Sequence, residues 1–157
     1  MKLELSNLDD TRLAARSLAL QMRSGDVYSL SGDLGAGKTT FARYFLQALG
    51  VEEDVPSPTF TLVQTYTTPD SRTVWHFDLY RIETPEEAFE LGIEDAFEED
   101  VSLIEWPNRL GSYLPAERLE LDFSFVQTEG ARQLTIRPLS ASWENRLNQL
   151  SLPGAHA

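Results

Sequence analysis

Gly32-Asp33-Leu34-Gly35-Ala36-Gly37-Lys38-Thr39-Thr40 is the stretch on which the reading of this 157-residue chain turns. It fits G-x-x-x-x-G-K-[ST], the pattern of a phosphate-binding loop. Its flanks fit as well. Val27-Tyr28-Ser29-Leu30 before it is a short apolar run suited to a buried strand. After it, Phe41, Ala42, Phe45, Leu46 and Leu49 recur at helical spacing from residue 38, and Gly50 stands as a stop signal. A glycine turn that happened to precede a lysine would need neither the strand nor the helix.

The residue types follow from the chemistry of anion binding. Glycines let the backbone curl so that successive N–H groups face phosphate oxygens without a side chain in the way. The helix N-terminus adds its positive dipole end. Lys38 can reach β and γ phosphates, the Thr39 hydroxyl can ligate Mg²⁺, and Thr40 would sit nearer an α phosphate. The residues expected to hold ATP or ADP are therefore Asp33, Leu34, Gly35, Ala36, Gly37, Lys38, Thr39 and Thr40.

At 41% hydrophobic residues the chain can bury one good core, and we read residues 1–150 as a single domain with 151–157 as a disordered tail. With no cysteine, disulfides and thiolate metal sites are excluded. No signal peptide opens the chain and no apolar run approaches the ~20 residues that span a bilayer, so a cytoplasmic protein is expected. Acidic residues outnumber basic ones 25 to 13, a net charge of −12. Proteins that grip nucleic acid carry basic patches, and none is visible. If the chain works on RNA, something else holds the RNA.

Around the loop the periodicities predict a mixed fold. Lys2-Leu3-Glu4-Leu5 alternates as a short edge strand. A helix over 8–22 is expected after a Ser6 or Asn7 cap, with Leu13, Ala14, Leu18 and Met22 along one stripe. Pro56 and Pro58 stiffen the loop after Gly50. The β-branched and aromatic residues of 59–67 predict a strand, paired through the turn at 68–72 with a second arm over 73–78. Thr84-Pro85-Glu86-Glu87 reads as a capping box opening a helix that ends near Gly92. A strand over 101–107, a hairpin of 119–125 with 134–136, and a final helix over 140–150 with Trp143 and Leu147 inward complete the pattern. Residues 83–100 hold nine acids and no base. They form either a solvated face or a docking surface for a basic partner.

A phosphate loop needs a metal and a positioned water before it hydrolyses anything. Apolar strands that end in an acid supply the carboxylate. Glu105 closes the purest apolar strand; the alternative is a surface acid. Asp78 closes another, within His76-Phe77-Asp78-Leu79-Tyr80-Arg81, and could hold Mg²⁺ directly or through water. His76 reads as a satisfied core or hairpin histidine. Arg81 could reach a γ phosphate or form a surface ion pair.

Five motifs now stand in order: GDLGAGKTT at 32–40, SPTF at 57–60, HFDLYR at 76–81, LGI at 91–93 and EWP at 105–107. Together they resemble the TsaE (YjeE) family of bacterial ATPases, over roughly residues 3–136. The resemblance implies an α/β, P-loop NTPase-like three-layer fold, with a mostly parallel central sheet and antiparallel edge strands or hairpins. It implies ATP/ADP and Mg²⁺ as cofactors, and a role in threonylcarbamoyladenosine modification of tRNA. The implied partners are TsaD and TsaB, whose complex ATP hydrolysis would reset; no direct tRNA binding by the chain alone is expected. It matches Lys38 and Thr39 to the phosphate and metal positions, Asp78 to the acid of HxDLYR and Glu105 to that of EWP. Thr59 and Thr61 match a switch-like segment, and Trp106 a tryptophan packed near nucleotide or partner. The catalytic candidates are thus Glu105, Asp78 and Lys38, and the metal set Thr39, Glu105 and Asp78. A small-molecule kinase or a nucleotide-gated binding module without hydrolysis are the alternatives. Hairpins after Glu105, where such kinases need an arginine-bearing lid and an acceptor pocket, argue against the kinase.

Overall fold

The computed structural model describes residues 1–152. Its strands are β1 (Lys2–Leu5), β2 (Val27–Ser31), β3 (Val63–Thr67), β4 (Thr73–Asp78), β5 (Val101–Glu105), β6 (Leu119–Phe125) and β7 (Arg132–Pro138). Its helices are α1 (Leu8–Ala19), α2 (Lys38–Ala48), α3 (Glu87–Glu90), α4 (Ile93–Glu99) and α5 (Ala141–Asn148), with a 3-10 segment, kinked at Gly111, over Pro107–Tyr113. The strands form one sheet in the order β1-β7-β6-β2-β5-β4-β3. Its four central strands, β6, β2, β5 and β4, run parallel; β3 pairs antiparallel with β4 at one side, and at the other β7 pairs antiparallel with β6 and β1 antiparallel with β7.

Burial explains which strands sit where. β5 is buried along its whole length, as a central parallel strand covered on both faces must be. Its Leu103 packs into the core under α1, α2 and α5, beside Tyr28, Phe41 and Trp143. The adjacent Ile104 points the other way, toward Phe77, Ile93 and Leu110 beneath α3, α4 and the 3-10 segment. Two cores on opposite faces of one sheet follow from that two-residue alternation. β6 is covered on one face only. Leu119, Leu121 and Phe123 point inward, while Glu120 and Asp122 form a polar face with Arg118 and Arg137.

Several expectations shift. The first helix ends at Ala19 instead of 22, and Leu13 lies on its solvent side while Ala15 and Ala19 are buried. Its cap is Asn7, whose side chain accepts from the Asp10 N–H at 3.0 Å. The strand expected over 59–67 begins only at Val63. Pro58 has no N–H to give a ladder, the Leu62 N–H turns back to the Pro58 carbonyl at 2.6 Å, and Leu62 has φ 69°. Half the expected capping box is present, with Glu87 accepting from the Thr84 N–H at 3.1 Å. A second helix, α4, then continues past Gly92. Leu152, placed in the expected tail, is buried in the larger core; the rest of that expectation, 153–157, lies outside the described residues. Among the described residues no helix is long and apolar enough to cross a membrane.

Candidate nucleotide site

The loop is shaped by what lies behind it. β2 ends at Ser31, and Gly32 follows at φ 141°, where a Cβ would lie 2.5 Å from the Phe123 carbonyl oxygen of β6. No side chain fits there. Gly37 at φ 117° then turns the chain into α2 as its N-cap, a left-handed conformation that glycine adopts without strain. Lys38 opens the helix and is buried. Its ammonium donates to the carbonyls of Gly32 and, at 3.2 Å, Asp33, and lies 4.1 Å from the centroid of the Trp106 ring. Burial lowers its pKa from the ordinary 10.5, opposed by the nearby charges of Glu105, Asp78 and Asp33.

Register brings the acids to the loop. Glu105 stands opposite Leu30 on one side and Asp78 on the other, so both carboxylates sit at the same end of the sheet as Thr39. The Thr39 hydroxyl lies 2.9 Å from Glu105 Oε1 and 3.0 Å from Oε2. His76 Nε2 lies 2.7 Å from Oε2. Asp78 accepts from the Thr59 hydroxyl at 2.9 Å and the Tyr80 N–H at 3.0 Å, and Ser57 hydrogen-bonds Thr59 at 2.7 Å. Glu105 is 2% and Asp78 4% exposed, so Glu105 is no surface acid.

These groups face one cavity of about 160 Å³. Leu34, Gly35, Gly37, Lys38, Thr39 and Thr40 line it from the loop, and Ser57, Thr59, Asp78, Glu105 and Trp106 from the sheet side. Asp33 is exposed and contributes its carbonyl to Lys38 and to the Ala36 N–H; Ala36 is buried and faces a smaller cavity behind the loop. Neither lines the cavity between the loop and the two acids. Arg81 is not in it: its guanidinium lies 4.2 Å over the exposed Phe60 ring, replacing the expected ion pair with a cation–π contact. Thr61, placed in a switch-like segment by resemblance, does not line it. Ser57 does as well; the sequence named it within the SPTF motif and between two prolines, without giving it a role at the site. Trp106 does too, at a left-handed φ of 57°.

Among the described residues no cluster of three or more His, Cys, Asp or Glu could cage a metal by itself. The donors present are oxygens: the Thr39 hydroxyl, Glu105 and Asp78. That set fits Mg²⁺, which binds through one or two carboxylates plus substrate phosphates and keeps several waters.

The family model for TsaE, threonylcarbamoyl adenosine biosynthesis protein, matches residues 5–134. A Bacillus subtilis protein named tRNA threonylcarbamoyladenosine biosynthesis protein TsaE is 34% identical over 152 residues, 96% of this chain and 94% of its own. A Rickettsia felis protein of the same name is 40% identical over 123 residues, 78% of this chain and 71% of its own. The crystal structure of Bacillus subtilis YdiB superposes with a TM-score of 0.77 at 30% identity, over 95% of this chain and 92% of that one. The glycine loop, the two strand-end acids and these similarities agree, and the chain belongs to the TsaE family of threonylcarbamoyl adenosine biosynthesis proteins.

Proposed function

We propose that the chain is a Mg²⁺-dependent ATPase with a P-loop NTPase-like fold, and that its ATP hydrolysis acts on a TsaD–TsaB complex in the cytoplasm during threonylcarbamoyladenosine modification of tRNA. The observation that carries this reading is the convergence on one cavity of Lys38, Thr39 and two buried carboxylates, with a glycine loop and a helix N-terminus as its floor. The loop amides and Lys38 bind the β and γ phosphates of ATP. Thr39 and Asp78 would hold Mg²⁺, with Glu105 reached through the Thr39 hydroxyl. The ion, when bound, offsets charge on the transferring phosphoryl group. Water attacks the γ phosphorus, the bond to the β–γ bridging oxygen breaks, and ADP and inorganic phosphate leave. Asp78, held by Thr59 and Tyr80 at both oxygens, orients that water or the ion's hydration shell. Trp106 shields Lys38 from solvent and strengthens its field at the phosphates.

The net charge of −12 fits action on a protein complex better than a direct grip on tRNA. No arginine lines the cavity, and an arginine finger is worth about 10³–10⁵ in rate. Hydrolysis should therefore be slow for the chain alone and fast with TsaD and TsaB. The test is phosphate release with and without those proteins, with product analysis. Free phosphate supports hydrolysis; a phosphorylated metabolite would make the chain a kinase, and unaltered ATP in the full assembly a nucleotide-gated module. Glu105→Gln and Asp78→Asn should each keep nucleotide binding and lower turnover by on the order of 10²-fold. Normal turnover in both would mean the acids are wrongly assigned.

A further inference from the structure

His76 has no part in the hydrolysis just described, yet it is 0% exposed and lies against the acid beside the loop. β4 and β5 are parallel neighbours with His76 opposite Leu103 and Asp78 opposite Glu105. His76 and Asp78 are two residues apart and share a face of the strand. The side chain of His76 therefore rises beneath the Glu105 carboxylate, with Nε2 2.7 Å from Oε2. Its other nitrogen, Nδ1, is buried and has no protein partner. A histidine kept only for packing would cost less as leucine, because a buried unpaired ring nitrogen carries a desolvation penalty. The pairing with Glu105 is what the imidazole adds.

From this contact we infer that His76 is a positioning residue for Glu105, an inference that rests on the proposed hydrolysis. The tautomer with hydrogen on Nε2 donates to Oε2 and leaves Nδ1 as the bare acceptor. A carboxylate has about four lone-pair positions on two oxygens. With Oε2 occupied by His76, the carboxylate cannot turn about its terminal torsion, which is otherwise broad and two-fold. Both oxygens, Oε1 at 2.9 Å and Oε2 at 3.0 Å from the Thr39 hydroxyl, are then held against it. His76 so holds the carboxylate in place as the acceptor of the Thr39 hydrogen, and leaves that hydroxyl's lone pairs facing the site where Mg²⁺ would bind. The sequence hides this role. His76 reads as a core residue because it is one, and only the sheet register puts Glu105 above it.

The test uses the full chain with His76→Leu, His76→Gln and Glu105→Gln. Calorimetry measures how much Mg²⁺ tightens ADP binding, and phosphate release with the partner proteins gives kcat and KM. His76→Leu should bind ADP in EDTA within about 2-fold of wild type. Its Mg²⁺-dependent gain in affinity and its kcat should fall roughly 10- to 100-fold, the range for lost outer partners of a metal site. His76→Gln retains an N–H donor and should recover most of that loss. In the Glu105→Gln background His76→Leu should add no further effect. A wild-type Mg²⁺ response in His76→Leu, or a glutamine no better than leucine, overturns the inference. Nitrogen-15 NMR of the imidazole decides it without turnover, should the leucine variant not fold. The proton should reside on Nε2 and its signal should move in Glu105→Gln; a proton on Nδ1, or an unmoved signal, refutes the contact. A wild type that shows no Mg²⁺-assisted nucleotide binding would instead refute the proposed function, leaving the NMR result standing.

Discussion

Arg146→Met should destabilise the chain by about 3–5 kcal/mol, the usual consequence of leaving one member of a buried ion pair uncompensated. Arg146 is 6% and Asp26 8% exposed. The guanidinium forms a two-pronged pair with the carboxylate, at 2.8 Å to Oδ1 and 2.7 Å to Oδ2, and donates to the Gln21 carbonyl at 2.8 Å. It also lies 3.8 Å over the Trp143 ring. Methionine would keep much of the stem's volume and remove all of these. Asp26 would keep only the Arg23 N–H at 2.7 Å and the Tyr28 hydroxyl at 3.3 Å. For a chain of this size each kcal/mol shifts Tm by about 2–4 °C, so a loss of roughly 6–20 °C is expected. Denaturant titration and thermal melts of the full chain would measure it. Adding Asp26→Asn should restore part of the loss, since no unpaired charge then remains. ADP affinity below the melting range should not change, because Asp26 lies before β2 and the phosphate loop lies after it. A loss under about 1 kcal/mol would refute the reasoning, for it would mean that Asp26 finds solvent or another cation once Arg146 is gone.

Lys38→Ala should remove the charge-assisted contact to the phosphates, worth roughly 1.5–3 kcal/mol, and so weaken Mg·ADP about 10- to 150-fold by calorimetry; wild-type affinity would show that this loop is not the site. Because burial lowers the Lys38 pKa, its charge is lost as pH rises through a value below 10.5, and ADP affinity should fall over that alkaline window. Lys38→Arg, which stays charged, should not follow the same curve, and parallel curves for the two proteins would exclude Lys38 as the titrating group. On the acidic stretch, Glu86 and Glu90 are exposed, whereas Glu87 accepts from the Thr84 N–H at 3.1 Å and Asp100 from the Trp75 indole at 2.8 Å. Neutralising Glu86 and Glu90 together should weaken docking to the partner complex roughly 2- to 30-fold, at about 0.2–1 kcal/mol per exposed charge, with ADP affinity unchanged. An unaltered affinity for the partners would make that face a solvated one.

Local rules were enough to place the glycine loop, the strand before it and the helix after it, because each rests on near-neighbour chemistry: glycine dihedrals and a two-residue or 3.6-residue period. Asp78 and Glu105 were legible for the same reason, as acids that end apolar strands. What the chain could not reveal by itself is which of those ends meet. β4 and β2 flank β5, and β5 and β6 flank β2, by parallel pairings that join residues far apart in sequence, and nothing in a strand's own residues names its neighbour. The hairpin of β6 and β7 read as a local unit, yet β6 lies against β2, and its Phe123 carbonyl is what forces glycine at position 32. Residues 59–62 have strand propensity but spend their polar groups otherwise, since the Thr59 hydroxyl turns to Asp78 across 19 positions. His76 and Arg146 show the same limit from the inside of the molecule. Each is a polar residue whose burial is stable only because a carboxylate, 29 positions away for His76 and 120 for Arg146, arrives at hydrogen-bonding distance. Periodicity can bury a residue, but only the assembled sheet can supply its partner.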